Sequence, residues 1–294
     1  MVLNTLVPLT AAERWSERFQ SSRKSGLEFI TWDIAVSGEG AVHVVLGTNA
    51  WKLKLPKEEW GYLYARRLPG ATEFEPVRNL NHRLSEGFSL AIGTNGAVAA
   101  VWMAEKLFAT ISSDGGKTFG AIIAIDPSLD PCAVYAADGR IALLYREETD
   151  NQRDMYLAFW DPSTNKASKK RISTTSWKID SCPMTYHSLL RSNDGFIATW
   201  PTKGDVYFAR LATDSSLKAP KEVKTAGQSG MRTGVIGLPV SDEQTFVAWK
   251  KDERVGWQLF DERGTTSGLP RYLQSAGSGV AVTTTKSGDI VLFH

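Results

Sequence analysis

The sequence predicts an all-β fold, a six-bladed β-propeller of four-stranded antiparallel blades. Three observations lead there: a turn and an alternating apolar run recur six times, each copy sits in a cycle of four strand-like runs, and no convincing helical period intervenes. The six copies are "SGEGAVHVVLG" from Ser37, "GTNGAVAAVWM" from Gly93, "AADGRIALLYR" from Ala136, "SNDGFIATWPT" from Ser192, "VSDEQTFVAWK" from Val240 and "TKSGDIVLFH" from Thr285. Gly40, Gly96, Gly139, Gly195 and Gly288 hold equivalent places, where a tight hairpin turn calls for positive φ; the fifth copy has Glu243 there. The alternation that follows is the period of a strand with two unlike faces.

Each turn is preceded by a first strand, as in "FSLAIG" or "AVYA", and followed by a third, as in "GYLYARR", "KLFATIS", "DMYLAFW", "DVYFARL" and "VGWQLF". A more polar fourth run closes the cycle, as in "FEPVRNL", "KKRIST" and "PKEVKT". Residues 1–294 then form one domain, with blades at about 29–80, 87–126, 130–174, 184–225, 232–275 and 277–294. The last blade runs out after its second strand, and an open seam leaves unpaired edges. The expected donor is "NTLVPLT", residues 4–10, as an outer strand that closes the ring. A two-sheet β-sandwich is the structural alternative.

Ten tryptophans in 294 residues suit wide aromatic layers between sheets. The formal charge is only +2, and the densest basic cluster is Lys169, Lys170 and Arg171. That balance argues against nucleic acid or an anionic membrane as a partner. No apolar run approaches the roughly 20 residues of a membrane span. The first fifteen residues carry no export signal, so the reading is either a periplasmic or extracellular protein whose signal has been removed or a cytoplasmic one.

"SSDGGKTF" places Ser112, Asp114, Gly116, Thr118 and Phe119 in a Ser-x-Asp-x-Gly-x-Thr-Phe pattern between the third and fourth strands of the second blade. This resembles the Asp-box, or bacterial neuraminidase repeat, of the sialidase-like propeller superfamily. Its physical role is structural: the Asp114 carboxylate accepts bonds from its own turn and Phe119 enters the core. The octet has too few oxygen ligands for Ca²⁺. A degenerate echo, "RRLPGATEF", begins at Arg66.

Sialidases of this superfamily use three arginines, an Asp acid/base and a Tyr–Glu nucleophile pair. The corresponding N-terminal region here, "GLEFITWDIAVSG", holds Trp32 and Asp33 but no Arg-Ile-Pro motif, which argues against an ordinary sialidase. Asp33, Glu147 and Tyr186 are the candidates for a rearranged glycosidase set. Residues 128–210 are similar to uncharacterised bacterial sialidase-like repeat proteins, usually exported. Those share a cysteine before the third blade (Cys132), an Asn-x-Arg-Asp-(Ile/Met)-Tyr segment (Asn151, Arg153, Asp154, Tyr156) and a Trp-Lys-x-(Asp/Asn)-x-Cys-Pro motif (Trp177, Lys178, Asp180, Cys182, Pro183).

In a propeller, loops between second and third strands open on the same face as blade-to-blade connections, so Cys132, Cys182 and "REETDNQRD" meet in one neighbourhood. Three readings apply to it. Cys132 and Cys182 form a disulfide, sensible in an oxidising compartment; or Cys182, Met184 and His187, with Cys132, form a soft copper or redox site. The third is packing, with Trp177 wedged between blades and Arg153 or Asp154 paired to Asp180 or Lys178. Strand alternation turns His187 away from Cys182 and Met184. The preferred function is a binding or scaffold module for a glycan or small polar ligand at the axial mouth, with a protein partner as a further possibility and no cofactor. Trp51, His82, Arg146, Arg153, Asp154, Trp177, Asp180 and Arg232 are the candidate contacts, because aromatic planes stack on sugar faces and charged forks fix polar groups.

Overall fold

A computed structural model describes residues 29–294 apart from 49, 51, 57–59, 82–84, 105, 127–128, 136–137, 213–220, 232, 278 and 286–287; the side chains of 29–32, 86, 126 and 129–135 also lie outside that description. The segment 4–10 expected to close the ring therefore falls outside it. All regular elements among the described residues are strands.

Strands β1 (Phe29–Val36), β2 (Val42–Thr48), β3 (Tyr62–Arg67) and β4 (Arg78–Asn81) form the first antiparallel sheet, in that order. The second is β5 (Glu86–Ile92), β6 (Val98–Met103), β7 (Leu107–Ser112) and β8 (Ile123–Asp126). The third is β9 (Leu129–Tyr135), β10 (Ile141–Thr149), β11 (Gln152–Asp161) and β12 (Lys166–Arg171). β13 (Ser188–Arg191), β14 (Gly195–Thr202), β15 (Asp205–Ala212) and β16 (Val223–Gln228) make the fourth. The fifth is β17 (Val235–Pro239), β18 (Gln244–Lys251), β19 (Arg254–Asp261) and β20 (Arg271–Gln274). β21 (Ala281–Thr284) and β22 (Ile290–Phe293) form a two-stranded sheet. The described residues divide into two compact units, one of residues 29–141 with Pro162–Lys166, the other of Ala142–Asp161 and Ala167–His294.

The first-to-second-strand turns repeat in hydrogen bonding as well as sequence. Gly40 N–H donates to Ser37 O, Gly96 N–H to Gly93 O and Gly288 N–H to Thr285 O, at 2.9–3.0 Å. Gly40, Gly96, Gly139 and Gly288 all have φ between 78° and 89°. Gly195 does not share that conformation. A Cβ there would lie 1.8 Å from Leu211 O, so this glycine is required by close approach of β15 rather than by turn handedness.

The second strands also depart from two unlike faces: β6 and β14 are buried at every position. Sheets stacked on both sides leave neither face to solvent, as in the interior strands of layered folds. In the first unit, Tyr62, Tyr64, Phe88 and Trp102 fill the layer between the first two sheets with Val45, Leu90 and Val98. Tyr62 meets Phe88 edge-on at 4.9 Å and Trp102 at 5.2 Å. In the second unit, Phe208, Trp249 and Phe260 join the fourth sheet to the fifth. Each such ring removes about 150–250 Å² from water, roughly 4–6 kcal/mol before ordering entropy.

Candidate functional site

"REETDNQRD" is a hairpin. β10 and β11 run on through it and turn at Asp150 and Asn151, whose φ values of 50° and 65° mark a two-residue turn with both central residues left-handed. The following "SWKID" segment continues the sheet's outer edge beyond β12. Arg153 N–H donates to Trp177 O at 2.8 Å, Ile179 N–H donates to Asn151 O at 2.9 Å, and Gln152 bridges Lys178.

This pairing lays Trp177 over Arg146, whose guanidinium carbon is 4.8 Å from the ring centroid. Arg146 is only 4% exposed and donates to Arg153 O at 2.6 Å and Pro201 O at 2.5 Å. Two carbonyls and an aromatic face thus replace the hydration a buried cation loses. Asp154 is buried and accepts both Gln152 Nε2 bonds (3.0 and 2.9 Å) and the Trp177 N–H (3.3 Å), with Arg171 Nε 3.2 Å away. Arg153 pairs with Glu148 at 2.7 Å. The expected pairing of Arg153 or Asp154 with Lys178 or Asp180 therefore gives way to Glu148 and Arg171. The edge pairing sets Lys178 opposite Gln152, and Lys178 and Asp180 are exposed.

The linker is held from its start by Glu222, which the sequence reading missed. Its carboxylate accepts the N–H of Thr174, the Thr175 N–H (3.1 Å) and the hydroxyls of Thr174 (3.0 Å) and Thr175 (2.6 Å). Further along, Met184 adopts φ 49°, and residues 182–187 form no strand. His187 Nε2 lies 3.1 Å from Leu144 O. Cys182 is exposed and free; the Cys132 side chain lies outside the described residues. Trp51, His82 and Arg232 lie outside them as well. Among the described residues no group of three His, Cys, Asp or Glu side chains is placed to hold a metal ion, and no helix is long and apolar enough to cross a membrane.

Asp33 and Glu147, two of the three glycosidase candidates, are held by residues distant in sequence. Asp33 sits at a bulge in β1 and ties β1 to β5: Ser89 Oγ (3.0 Å) and Leu90 N–H (2.8 Å) donate to Oδ2, and Ile34 N–H (2.8 Å) to Oδ1. Burial of the carboxylate outweighs those bonds and raises its pKa to about 6. Glu147 accepts from Lys169 Nζ at 3.1 Å, and Tyr186 is exposed on the linker.

In the other unit the Asp-turn has the expected internal bonds. Asp114 Oδ1 accepts from Ser112 Oγ (2.7 Å) and Thr118 N–H (2.8 Å), and Oδ2 from Thr118 Oγ1 (2.6 Å). Gly116 N–H donates to Ser112 Oγ at 2.7 Å. These donors hold the Asp114 carboxyl well below the usual carboxylate range. The sequence does not reveal how the turn docks on the preceding sheet. Arg66 donates to Gly115 O at 2.8 Å while forking onto Glu75 (2.6 and 2.9 Å), and Arg78 donates to Gly116 O and Lys117 O. Tyr64 Oη, 2.7 Å from His43 Nδ1, packs beneath Gly116. A turn of the same reach occurs without the full motif: Asp261 accepts the Thr265 N–H at 2.7 Å, as Asp114 accepts that of Thr118, but Leu259 and Arg263 stand where the pattern has Ser and Gly.

No protein-family model and no curated protein matches the chain. Among solved structures it is similar to the SapL1 lectin in complex with alpha methyl fucoside, at 12% identity over 87% of this chain and 85% of that one, with a TM-score of 0.54. It is also similar to the Dos1 propeller, at 12% identity over 90% of this chain and 65% of that one, with a TM-score of 0.55. At that identity the likeness concerns fold alone: repeated four-stranded antiparallel sheets of the propeller type.

Proposed function

We propose that this chain is a carbohydrate-binding propeller whose Trp177 ring is a stacking platform for a sugar. The observation that carries the reading is the half-buried Trp177, whose ring packs on a buried Arg146 that is itself held by two carbonyls. A rigid aromatic face needs little ordering when a ligand arrives. Asp154 is spent on Gln152, Trp177 and Arg171, which suits positioning better than acid or base chemistry. Fold likeness to a fucoside-bound lectin supports the ligand class.

The finer assignments belong to the same proposal. The Asp114 turn supports the sialidase-like repeat superfamily, six blades follow from the six sequence cycles, and residues 4–10 close the last of them. Export rests on resemblance to exported repeat proteins. Titration calorimetry with methyl α-fucoside and a panel of other methyl glycosides tests the binding reading. Saccharide binding that is weaker in Trp177→Ala than in Trp177→Phe supports it; binding equal in both variants, or none to any glycoside, overturns it.

A further inference from the structure

The unit holding the Asp-turn contains a groove of about 490 Å³ between β4 and the second sheet, lined by Arg78, Asn79, Leu80, Thr110, Phe119, Gly120 and Ile122. That volume lies in the roughly 300–1,000 Å³ range of small-molecule sites. Its lining mixes two chemistries: Leu80, Phe119 and Ile122 are apolar, with Ile122 49% exposed, whereas Arg78, Asn79 and Thr110 are polar.

The walls are also preorganised. Gly120 N–H donates to Ile111 O at 2.9 Å, and Thr110 Oγ1 donates to Gly120 O at 2.8 Å, which fixes the exit from the Asp-turn. Phe119 is braced edge-on against Tyr64 at 5.0 Å. Arg78 lies 5.2 Å over Tyr64 and 5.9 Å over Phe119 while donating to Gly116 O and Lys117 O. A guanidinium has five N–H donors, so this side chain is immobilised by two and has others to offer. The Thr110 hydroxyl, having donated its proton, still accepts.

We infer that this groove is a second saccharide site, separate from the Trp177 platform, which seats the apolar face of a sugar ring on Phe119 and Ile122 and its acceptor oxygens on Arg78. The acceptor edge can be the hydroxyls of a neutral sugar or the carboxylate of a uronic acid, because a guanidinium serves both. Ile122 is exposed and no hydrogen bond depends on its side chain, so Ile122→Asp removes the apolar wall without opening the core.

The test is saturation-transfer NMR on the full chain with methyl α-fucoside and methyl glucuronoside, comparing wild type, Ile122→Asp, Trp177→Ala and the double variant. Retained binding in Trp177→Ala that weakens at least about tenfold on adding Ile122→Asp is the expected result. A response confined to one glycoside says which acceptor edge the groove takes, and both support it. If Trp177→Ala alone abolishes all binding, the groove inference falls and the platform stands. If Ile122→Asp alone abolishes it, the groove stands and the platform falls; no response to either glycoside in wild type overturns both.

Discussion

Gly116 and Gly96 share a left-handed backbone, with φ of 81° and 78°, but face different surroundings. A Cβ on Gly96 meets nothing within 4 Å, whereas one on Gly116 would sit 1.9 Å from Tyr64 Oη, 2.9 Å from its Cζ and 3.3 Å from His43 Nδ1. Tyr64 is fully buried and bonded to His43, so it has nowhere to swing. Gly96→Ala therefore measures the conformational penalty alone, about 1–2 kcal/mol. Gly116→Ala adds overpacking of about 1–3 kcal/mol and the Tyr64–His43 hydrogen bond at about 1 kcal/mol, for a total of about 3–6 kcal/mol. Urea unfolding followed by far-UV circular dichroism at neutral pH gives both values, with matched m confirming that only stability has changed. The prediction is a gap of at least about 2 kcal/mol between the two variants. Equal destabilisation would refute the argument that the Asp-turn is clamped onto the preceding sheet through Tyr64.

Three more outcomes follow from the same contacts. Ser112→Ala strands the buried Gly116 N–H and costs about 1–3 kcal/mol in the same urea assay; a cost below about 0.5 kcal/mol would mean that bond is dispensable. Asp33 has a folded pKa of about 6, above its ordinary 3.8, so the folded chain holds the extra proton between those values and stability falls as pH rises through them. Relative to pH-insensitive Asp33→Asn, wild type should lose about 2–3 kcal/mol between pH 4 and 7, and a flat difference contradicts the raised pKa. Glu222→Ala releases Thr174 and Thr175, and their amide hydrogen exchange should quicken about tenfold or more while β14 amides keep their protection. Unchanged exchange at both threonines would show that the linker is held by something else.

Much of the fold is written in the chain because the repeat states it six times. A turn bonded through Gly40, Gly96 or Gly288 and followed by a strand-length apolar run leaves little freedom in assignment. The Asp-turn was equally legible, since Ser112, Asp114, Gly116 and Thr118 bond to one another across four residues. Its docking was not. Arg66 and Arg78 reach Gly115, Gly116 and Lys117 from tens of residues away, and no local pattern distinguishes them from other surface arginines. The Trp177 neighbourhood was half legible. Repeat position brought Arg146, Arg153, Asp154 and Trp177 together, but the actual partners, Glu148, Arg171 and Gln152, depend on edge register that sequence spacing leaves open. Glu222 was invisible because its role lies in a linker it contacts from 47 and 48 residues away.

The most direct test of carbohydrate recognition is the Trp177 indole N–H resonance, assigned in a ¹⁵N–¹H spectrum by its disappearance in Trp177→Phe, followed as methyl glycosides are titrated into wild type. A saturable shift of that resonance, with the buried Trp102 and Trp160 indoles unmoved, is the predicted result. A Trp177 indole that stays in place while the chain binds saccharide, or through a full titration without binding, would contradict the account.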